Sequence, residues 1–348
     1  RFALITYSDG VRQVTGLKHV TADHGEQLKA LVDGIRAGGG TNLGAGLQTG
    51  INVMLSASEN GNAGKVILIS DGLANKGITD AARLGRMAGI AVEKEFAVST
   101  VGVGNDFNEQ LMTAIADRGA GNYYYLENPL AFAEVFQKEF LYTRTTLATN
   151  VSISFPLSSG ISITDASGYP VSVQNNHAVF YPGDLRAGQV RKLFLTLKVP
   201  TGEIASFDLG RIKARYRFNS RTMESELDGA YKIACVNDNR EVQASIDKTS
   251  WAEKVIREDY NRLKQEIAAD IKAGKKQKAL GKIRSYYREQ ESINAGVGSA
   301  EVTQNLDRDL KELRQRVEDT FEGTPSAVSR KQKSNSKSLQ YEGYRGRR

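Results

Sequence analysis

Cysteine is almost missing from this chain. Cys235 is the one cysteine among 348 residues, so no internal disulfide and no thiolate cluster for zinc or iron–sulfur can form. That excludes a disulfide-stapled scaffold. It leaves the compartment open, because many secreted proteins need no disulfide. Long apolar runs are missing too, since none approaches the roughly 20 residues needed to span a bilayer as a helix. The nucleotide-binding motifs are incomplete: VGVG (101–104) is followed by Phe107 where a third glycine would stand, and NAGK (62–65) has no glycine five residues before Gly64. The histidines, His19, His24 and His177, are scattered, and no nucleophile–base pairing for hydrolysis is visible. The chain opens on Arg1 and enters the apolar run FALITYS at once, with no initiator Met or leader. It reads as a fragment whose natural N-terminus lies upstream, so the missing leader says nothing about location.

What is there has the composition of a soluble globular protein, with 40% hydrophobic and 25% charged residues. Its length predicts two or three units. The net charge of +7 suggests nucleic acid until it is located. Residues 324–348 carry seven Lys/Arg against Glu342, whereas residues 1–146 carry 13 basic and 15 acidic residues. The basicity belongs mainly to the tail, which makes nucleic acid an unfavoured partner.

Residues 1–146 alternate between two periods. Runs suited to buried strands are ALITYS (3–8), KVILIS (65–70), FAVSTVGVG (96–104) and NYYYLE (122–127). Between them, Leu43, Leu47, Ile51 and Leu55 recur every four residues, one face of a helix over 43–58. Residues 78–94, 107–118 and 129–142 behave alike. Such alternation predicts a parallel sheet wrapped by helices on both faces. Tyr123, Tyr124 and Tyr125 lie in a strand and read as packing residues. From about 147 to 246 the period is 2, as in Val151, Ile153 and Phe155, and predicts an antiparallel β-sandwich. There Ile212, Ala214, Tyr216 and Phe218 are expected to face inward. From Trp251 the pattern is helical again. Val302, Leu306, Leu310, Leu313, Val317 and Phe321 form an apolar stripe, for a bundle over 247–323 or for a helical partner through 302–321. The segment 324–348 has little to bury and is expected to be disordered.

The sharpest local signal is KVILISDG (65–72), in which an apolar strand ends on Asp71. In open α/β sheets ligands sit beyond the carboxyl ends of the strands. Upstream, GGGTNLGAGL (38–47) sets Thr41 after three glycines, at a cap position before a helix. A hydroxyl and a carboxylate converging at a sheet edge are hard oxygen ligands, suited to Mg²⁺ or Ca²⁺. Each piece alone is ordinary, a helix cap and a turn; their order along the chain is the signal.

In that order these stretches resemble the von Willebrand factor type A family. With ALITYSDGV (3–11) and STVGVGNDFNEQLMTAIADRGAGNYYYLEN (99–128), they are most similar to bacterial members near the calcium-activated chloride channel and inter-alpha-trypsin inhibitor heavy-chain groups. The resemblance implies a Rossmann-like, doubly wound α/β domain over 1–146, followed here by the sandwich and the helices. It also implies a metal-ion-dependent adhesion site built from three loops, with Thr41 matching the second and Asp71 the third. Gly40, Asn42, Gly72 and Asn75 flank them as partner-binding residues. The family's first loop, Asp-x-Ser-x-Ser, is not in this chain. Ser8-Asp9-Gly10 has the wrong order and reads as a turn between two strands. The chain is therefore expected to lack the first-loop ligands and the central strand that precedes them, and to bind Mg²⁺ (or Ca²⁺/Mn²⁺) only weakly.

The function implied is binding, not catalysis: a partner's Asp or Glu carboxylate completes the coordination of the ion. An extracytoplasmic or membrane-associated place goes with that role, any membrane contact coming through the missing N-terminus. The alternatives are an intracellular assembly factor working with a ring ATPase, a structural protein without metal binding, and a nucleic-acid binder through the tail.

Overall fold

The computed structural model describes all residues except 58–63, 95, 158–159, 220, 228 and 230. Residue 58, expected to end a helix, and part of NAGK lie outside the described residues. Two compact units are present. One comprises Arg1–Ile153, Tyr181–Val190 and Lys213–Ser225; the other comprises Ser154–Phe180, Arg191–Ile212 and Glu226–Arg348. These limits differ from the expected boundaries at 146 and 246, because the last helix of the α/β part runs straight into a strand with no linker.

The first unit opens with an antiparallel hairpin, β1 (Phe2–Tyr7) and β2 (Val11–Lys18). Helices α1 (Ala22–Asp33) and α2 (Leu43–Ala57) follow. Then come β3 (Gly64–Ser70), α3 (Ala81–Glu93), β4 (Phe96–Val103), α4 (Glu109–Arg118), β5 (Ala120–Leu126) and α5 (Phe132–Thr145). Strands β3, β4 and β5 form a parallel sheet in that order. Successive side chains of a strand point to opposite faces, so Ser99 and Thr100, both buried in β4, serve different helices. Thr100 donates to the Met112 carbonyl on α4 (2.9 Å), and Ser99 donates to the Glu139 carboxylate on α5 (2.7 Å). Helices thus cover both faces, as the alternating pattern predicts. Gly102 explains VGVG: a Cβ there would lie 2.2 Å from the Phe107 ring, so the glycine seats a buried aromatic.

β1 pairs with β2, antiparallel, across the turn expected at Ser8-Asp9-Gly10, and no ladder joins it to β3 among the described residues. Paired strands lie about 4.8 Å apart; here a side chain bridges instead, the Tyr7 hydroxyl donating to the Ile69 carbonyl (2.5 Å). Helix α2 packs on both strands, and a Cβ at Gly50 would sit 3.2 Å from Val66 and 4.0 Å from Ile5.

β6 (Thr146–Pro156) begins the antiparallel part. After it come β7 (Ser162–Ala166), β8 (Ser172–Gln174), β9 (His177–Phe180), β10 (Leu185–Arg186), β11 (Leu195–Lys198), β12 (Ala205–Asp208), β13 (Lys213–Phe218), β14 (Arg221–Glu226) and β15 (Lys232–Cys235). In the first unit β13 lies between β6 and β14, and β10 pairs with β6. In the second, β7 pairs with β11, β8 with β9, and β12 with β15, around Phe155, Ile161 and Ala178. Ile212 packs on that core as expected, and Ala214 and Tyr216 are half-buried. Phe218 is 40% exposed, a correction to the inward-facing set. Its neighbour β14 is exposed throughout.

The second unit ends in helices. After α6 (Asn239–Ala244), α7 (Lys248–Lys254) and α8 (Tyr260–Lys272) join through a π-type turn at Val255–Asp259. α9 (Lys276–Val297) follows a left-handed turn at Gly274 (φ +71°). α10 (Ala300–Gln304) and α11 (Leu310–Thr320) join through a second π-type turn, Asn305–Asp309, and α12 (Pro325–Arg347) closes the chain. Packing runs α8–α9, α9–α11, α11–α12 and α12–α8, a closed four-helix bundle.

Two expectations are corrected here. The stripe Val302, Leu306, Leu310, Leu313 and Val317 is spent inside this bundle, which removes it as a helical partner surface. The tail 324–348 is ordered as α12. A Cβ at Gly343 would lie 2.4 Å from the Asn261 carbonyl, so the helix backbones approach closely. Arg347, 8% exposed, donates to Glu258 through Nε (2.6 Å) and to both Asp165 oxygens through Nη2 (2.8 and 2.7 Å). Composition counts apolar residues and misses a helix held by a close backbone approach, by Leu339 in the core and by ion pairs.

Candidate functional site

Three loops meet at the carboxyl end of β3. The first is the β1–β2 turn at Ser8–Gly10, closed by a Ser8 N–H to Gly10 carbonyl bond (2.9 Å). The second is the glycine-rich approach to α2, residues 38–42. The third follows β3, residues 71–77. The second loop is tied to both others. Asn42 N–H donates to the Ser8 carbonyl (2.7 Å), and Gly40 N–H donates to Asp9 Oδ1 (2.9 Å). Thr41 N–H donates to Asn75 Oδ1 (2.8 Å), and Asn75 N–H returns a bond to the Thr41 carbonyl (3.2 Å). Lys76 Nζ stands 3.6 Å from Asp9 Oδ1.

Thr41 and Asp71 therefore sit on loops that touch. A Cβ at Gly72 would lie 3.2 Å from the Thr41 hydroxyl, so a bare backbone there leaves that hydroxyl room. Among the described residues, neither the Thr41 hydroxyl nor the Asp71 carboxylate has a hydrogen-bond or ion-pair partner within the protein. Asp71 is exposed at the strand end. Its charge is felt by Tyr7, whose phenol is pushed up to about 12, by burial first; the Asp71 charge adds, and the bond to Ser70 opposes.

The flanking residues divide. Gly40 is needed bare: a Cβ there would lie 2.8 Å from both Asn75 Oδ1 and Asp9 Oδ1. Asn42 is used internally, accepting from Ala45 N–H (3.3 Å) and donating to the Asp9 carbonyl (3.4 Å). Asn75 is likewise engaged with Thr41. The structure thus gives these two amides a loop-fixing use.

Asp9 is the residue that sequence reasoning passed over. Its place in a Ser-Asp-Gly turn was legible; its reach to Gly40, 31 residues on, was not.

As a metal site the arrangement fits in kind and falls short in number. Hydroxyl and carboxylate are hard oxygen donors suited to Mg²⁺. Among the described residues, however, no group of three or more His, Cys, Asp or Glu is placed to hold an ion.

Residues 1–138 match the model of the von Willebrand factor type A domain. The uncharacterized protein YfbK of Escherichia coli (strain K12) is 29% identical over 231 residues, a match covering 64% of this chain and 39% of that protein. Inter-alpha-trypsin inhibitor heavy chain H3 of Mesocricetus auratus is 23% identical over 261 residues, covering 71% of this chain and 27% of the relative. The chain thus spans less than half the length of these relatives. The solved structure of a von Willebrand factor type A protein from Catenulispora acidiphila aligns with a TM-score of 0.68, covering 98% of this chain and 80% of that one at 17% identity, a likeness of fold.

Proposed function

We propose that the chain, whose residues 1–138 match the von Willebrand factor type A model, binds a protein ligand through a divalent cation held between Thr41 and Asp71. Domains of this family generally mediate protein–protein interaction or adhesion. One observation carries the finer reading: a hydroxyl and a carboxylate, both unpartnered among the described residues, on adjoining loops at the end of the sheet where α/β folds bind ligands. Mg²⁺, or Ca²⁺ or Mn²⁺, would meet the Thr41 hydroxyl oxygen and the Asp71 carboxylate. When bound, the ion supplies an electrophile that a partner's Asp or Glu carboxylate can complete. The role is binding, and we assign these residues no catalytic step. With two protein oxygens most of an octahedral shell stays with water, so affinity is weak. A strand pairing between β1 and β3, whose facing edges share no ladder among the described residues, would bring further oxygen ligands to the same end of the sheet. An extracytoplasmic or membrane-associated location belongs to this reading and is tested by cell fractionation. No helix among the described residues is long and apolar enough to cross a membrane.

A metal-free binding role is the second reading, favoured by the lack of a three-residue ligand group among the described residues. Water-proton relaxation with Mn²⁺ separates the two. A bound Mn²⁺ that keeps exchangeable water enhances relaxation, and a short peptide carrying one Asp should reduce that enhancement where the same peptide with Asn does not. Asp71→Ala should remove the enhancement. If the parent protein gives none, the metal-free reading stands.

A further inference from the structure

We infer that Asp9 is a positioning residue of this site: its carboxylate holds the glycine-rich loop so that the Thr41 hydroxyl stays beside the loop of Asp71. The inference rests on the reading that Thr41 and Asp71 hold a cation.

Two consecutive amides of the second loop are taken by side chains of two other loops. Gly40 N–H goes to the Asp9 carboxylate and Thr41 N–H to the Asn75 amide oxygen, at 2.9 and 2.8 Å. Two adjacent bonds to different loops fix the peptides on either side of the Gly40 Cα, and with them the direction of the Thr41 side chain. The glycines are shaped to Asp9. Gly39 has φ +77°, the left-handed region that glycine enters without strain, and a Cβ there would stand 2.7 Å from Asp9 Oδ2. The same carboxylate meets the third loop through Lys76, 3.6 Å from Oδ1. Asp9 therefore touches both ligand-bearing loops and belongs to neither. Its Oδ1 is occupied by the Gly40 amide and neighboured by an ammonium. That suits a residue that aims a ligand better than one that is itself a ligand. Outer partners of metal ligands act in this way, and their loss weakens metal binding by about 10–100-fold.

The test uses the full chain with Asp9→Ala, Asp9→Asn, Gly39→Ala and Thr41→Ala, Mn²⁺ as the probe, and two readouts: amide hydrogen exchange of Gly40 without metal, and the Mn²⁺ dissociation constant. Asp9→Ala should speed Gly40 exchange roughly fivefold, the worth of one hydrogen bond. It should weaken Mn²⁺ about tenfold, while the melting temperature in EDTA stays near that of the parent. Asp9→Asn keeps an acceptor for Gly40 and should restore the protection and most of the affinity. Should Asp9→Ala fail to fold, Gly39→Ala displaces the same carboxylate from the other side and is expected to lower Mn²⁺ affinity likewise. If Thr41→Ala weakens Mn²⁺ while Asp9→Ala or Gly39→Ala does not, or if Gly40 is unprotected in the parent, the inference is overturned and the cation reading survives. If Thr41→Ala leaves Mn²⁺ binding unchanged, the cation reading itself has failed, and this inference falls with it.

Discussion

The Lys65 ammonium lies 2.8 Å from the fully buried Glu139 carboxylate, tying the first residues of β3 to the middle of α5. Glu139 also accepts from Ser99 (2.7 Å), Asn122 (2.7 Å) and Tyr124 (2.5 Å), so all three strands of the parallel sheet converge on one side chain. Burial pushes its pKa up, but the Lys65 charge and these hydrogen bonds outweigh burial and hold it below the usual 4.5. Breaking a buried pair by removing one partner costs about 3–5 kcal/mol. Glu139→Ala is expected to destabilise the first unit by that order, measured by urea unfolding followed at its tyrosines.

The same carboxylate sets a pH dependence. Its folded pKa is depressed, so its contribution is complete above the unfolded value of about 4.3. It fades as pH falls through the lower folded value. The expected outcome is a stability difference between parent and Glu139→Gln that is constant near neutrality and shrinks below about pH 4.3. A difference that grew on acidification would contradict it.

Gly102 and Phe107 supply a packing test. A methyl group at 102 would stand 2.2 Å from the Phe107 ring. Gly102→Ala should cost about 1–3 kcal/mol by overpacking. The Gly102→Ala, Phe107→Leu pair should recover part of it, read from the midpoints of denaturant unfolding.

Arg347 anchors α12 between Glu258 and Asp165. Burial raises the Glu258 pKa, Asp165 adds to it, and Arg347 opposes. Arg347→Ala leaves two neighbouring carboxylates without their cation. It is expected to cost about 3–5 kcal/mol and to make the residues of α12 the first in the bundle to exchange their amide protons. Because the orphaned Glu258 carboxylate then binds its proton more tightly, part of the loss should return on acidification.

The edges of β1 and β3 predict a gain. An apolar strand ending in Asp-x-Ser-x-Ser, fused ahead of Arg1, should pair between them, raise the melting temperature and tighten Mg²⁺ binding together. Ion binding to the folded state alone links the two. Fusion that raises neither would argue against a strand-accepting slot.

The sequence showed most where one physical period dominates. β3 and β4 are mainly apolar, β5 carries the run Tyr123–Leu126, and α2 repeats Leu43, Leu47, Ile51 and Leu55 every four residues, so each was legible to within a few residues. The candidate ligands Thr41 and Asp71 were legible because strand ends and helix caps are local events. The rest depended on distant pairing. Asp9 looks the same whether its carboxylate stays in its own turn or crosses to Gly40. The tail looks unable to fold until Asp165 and Glu258, far back in the chain, are seen to receive Arg347.

The most direct test of the central claim is thermal unfolding of the parent and of Asp71→Ala, with saturating Mg²⁺ and with Na⁺ at matched ionic strength. A ligand that binds only the folded form stabilises it in proportion to the logarithm of its excess over the dissociation constant. Mg²⁺ should therefore raise the melting temperature of the parent and leave that of Asp71→Ala where Na⁺ sets it, with the two proteins melting alike in EDTA. An equal rise in both proteins would mean that Asp71 is a turn residue and that no cation is held between it and Thr41.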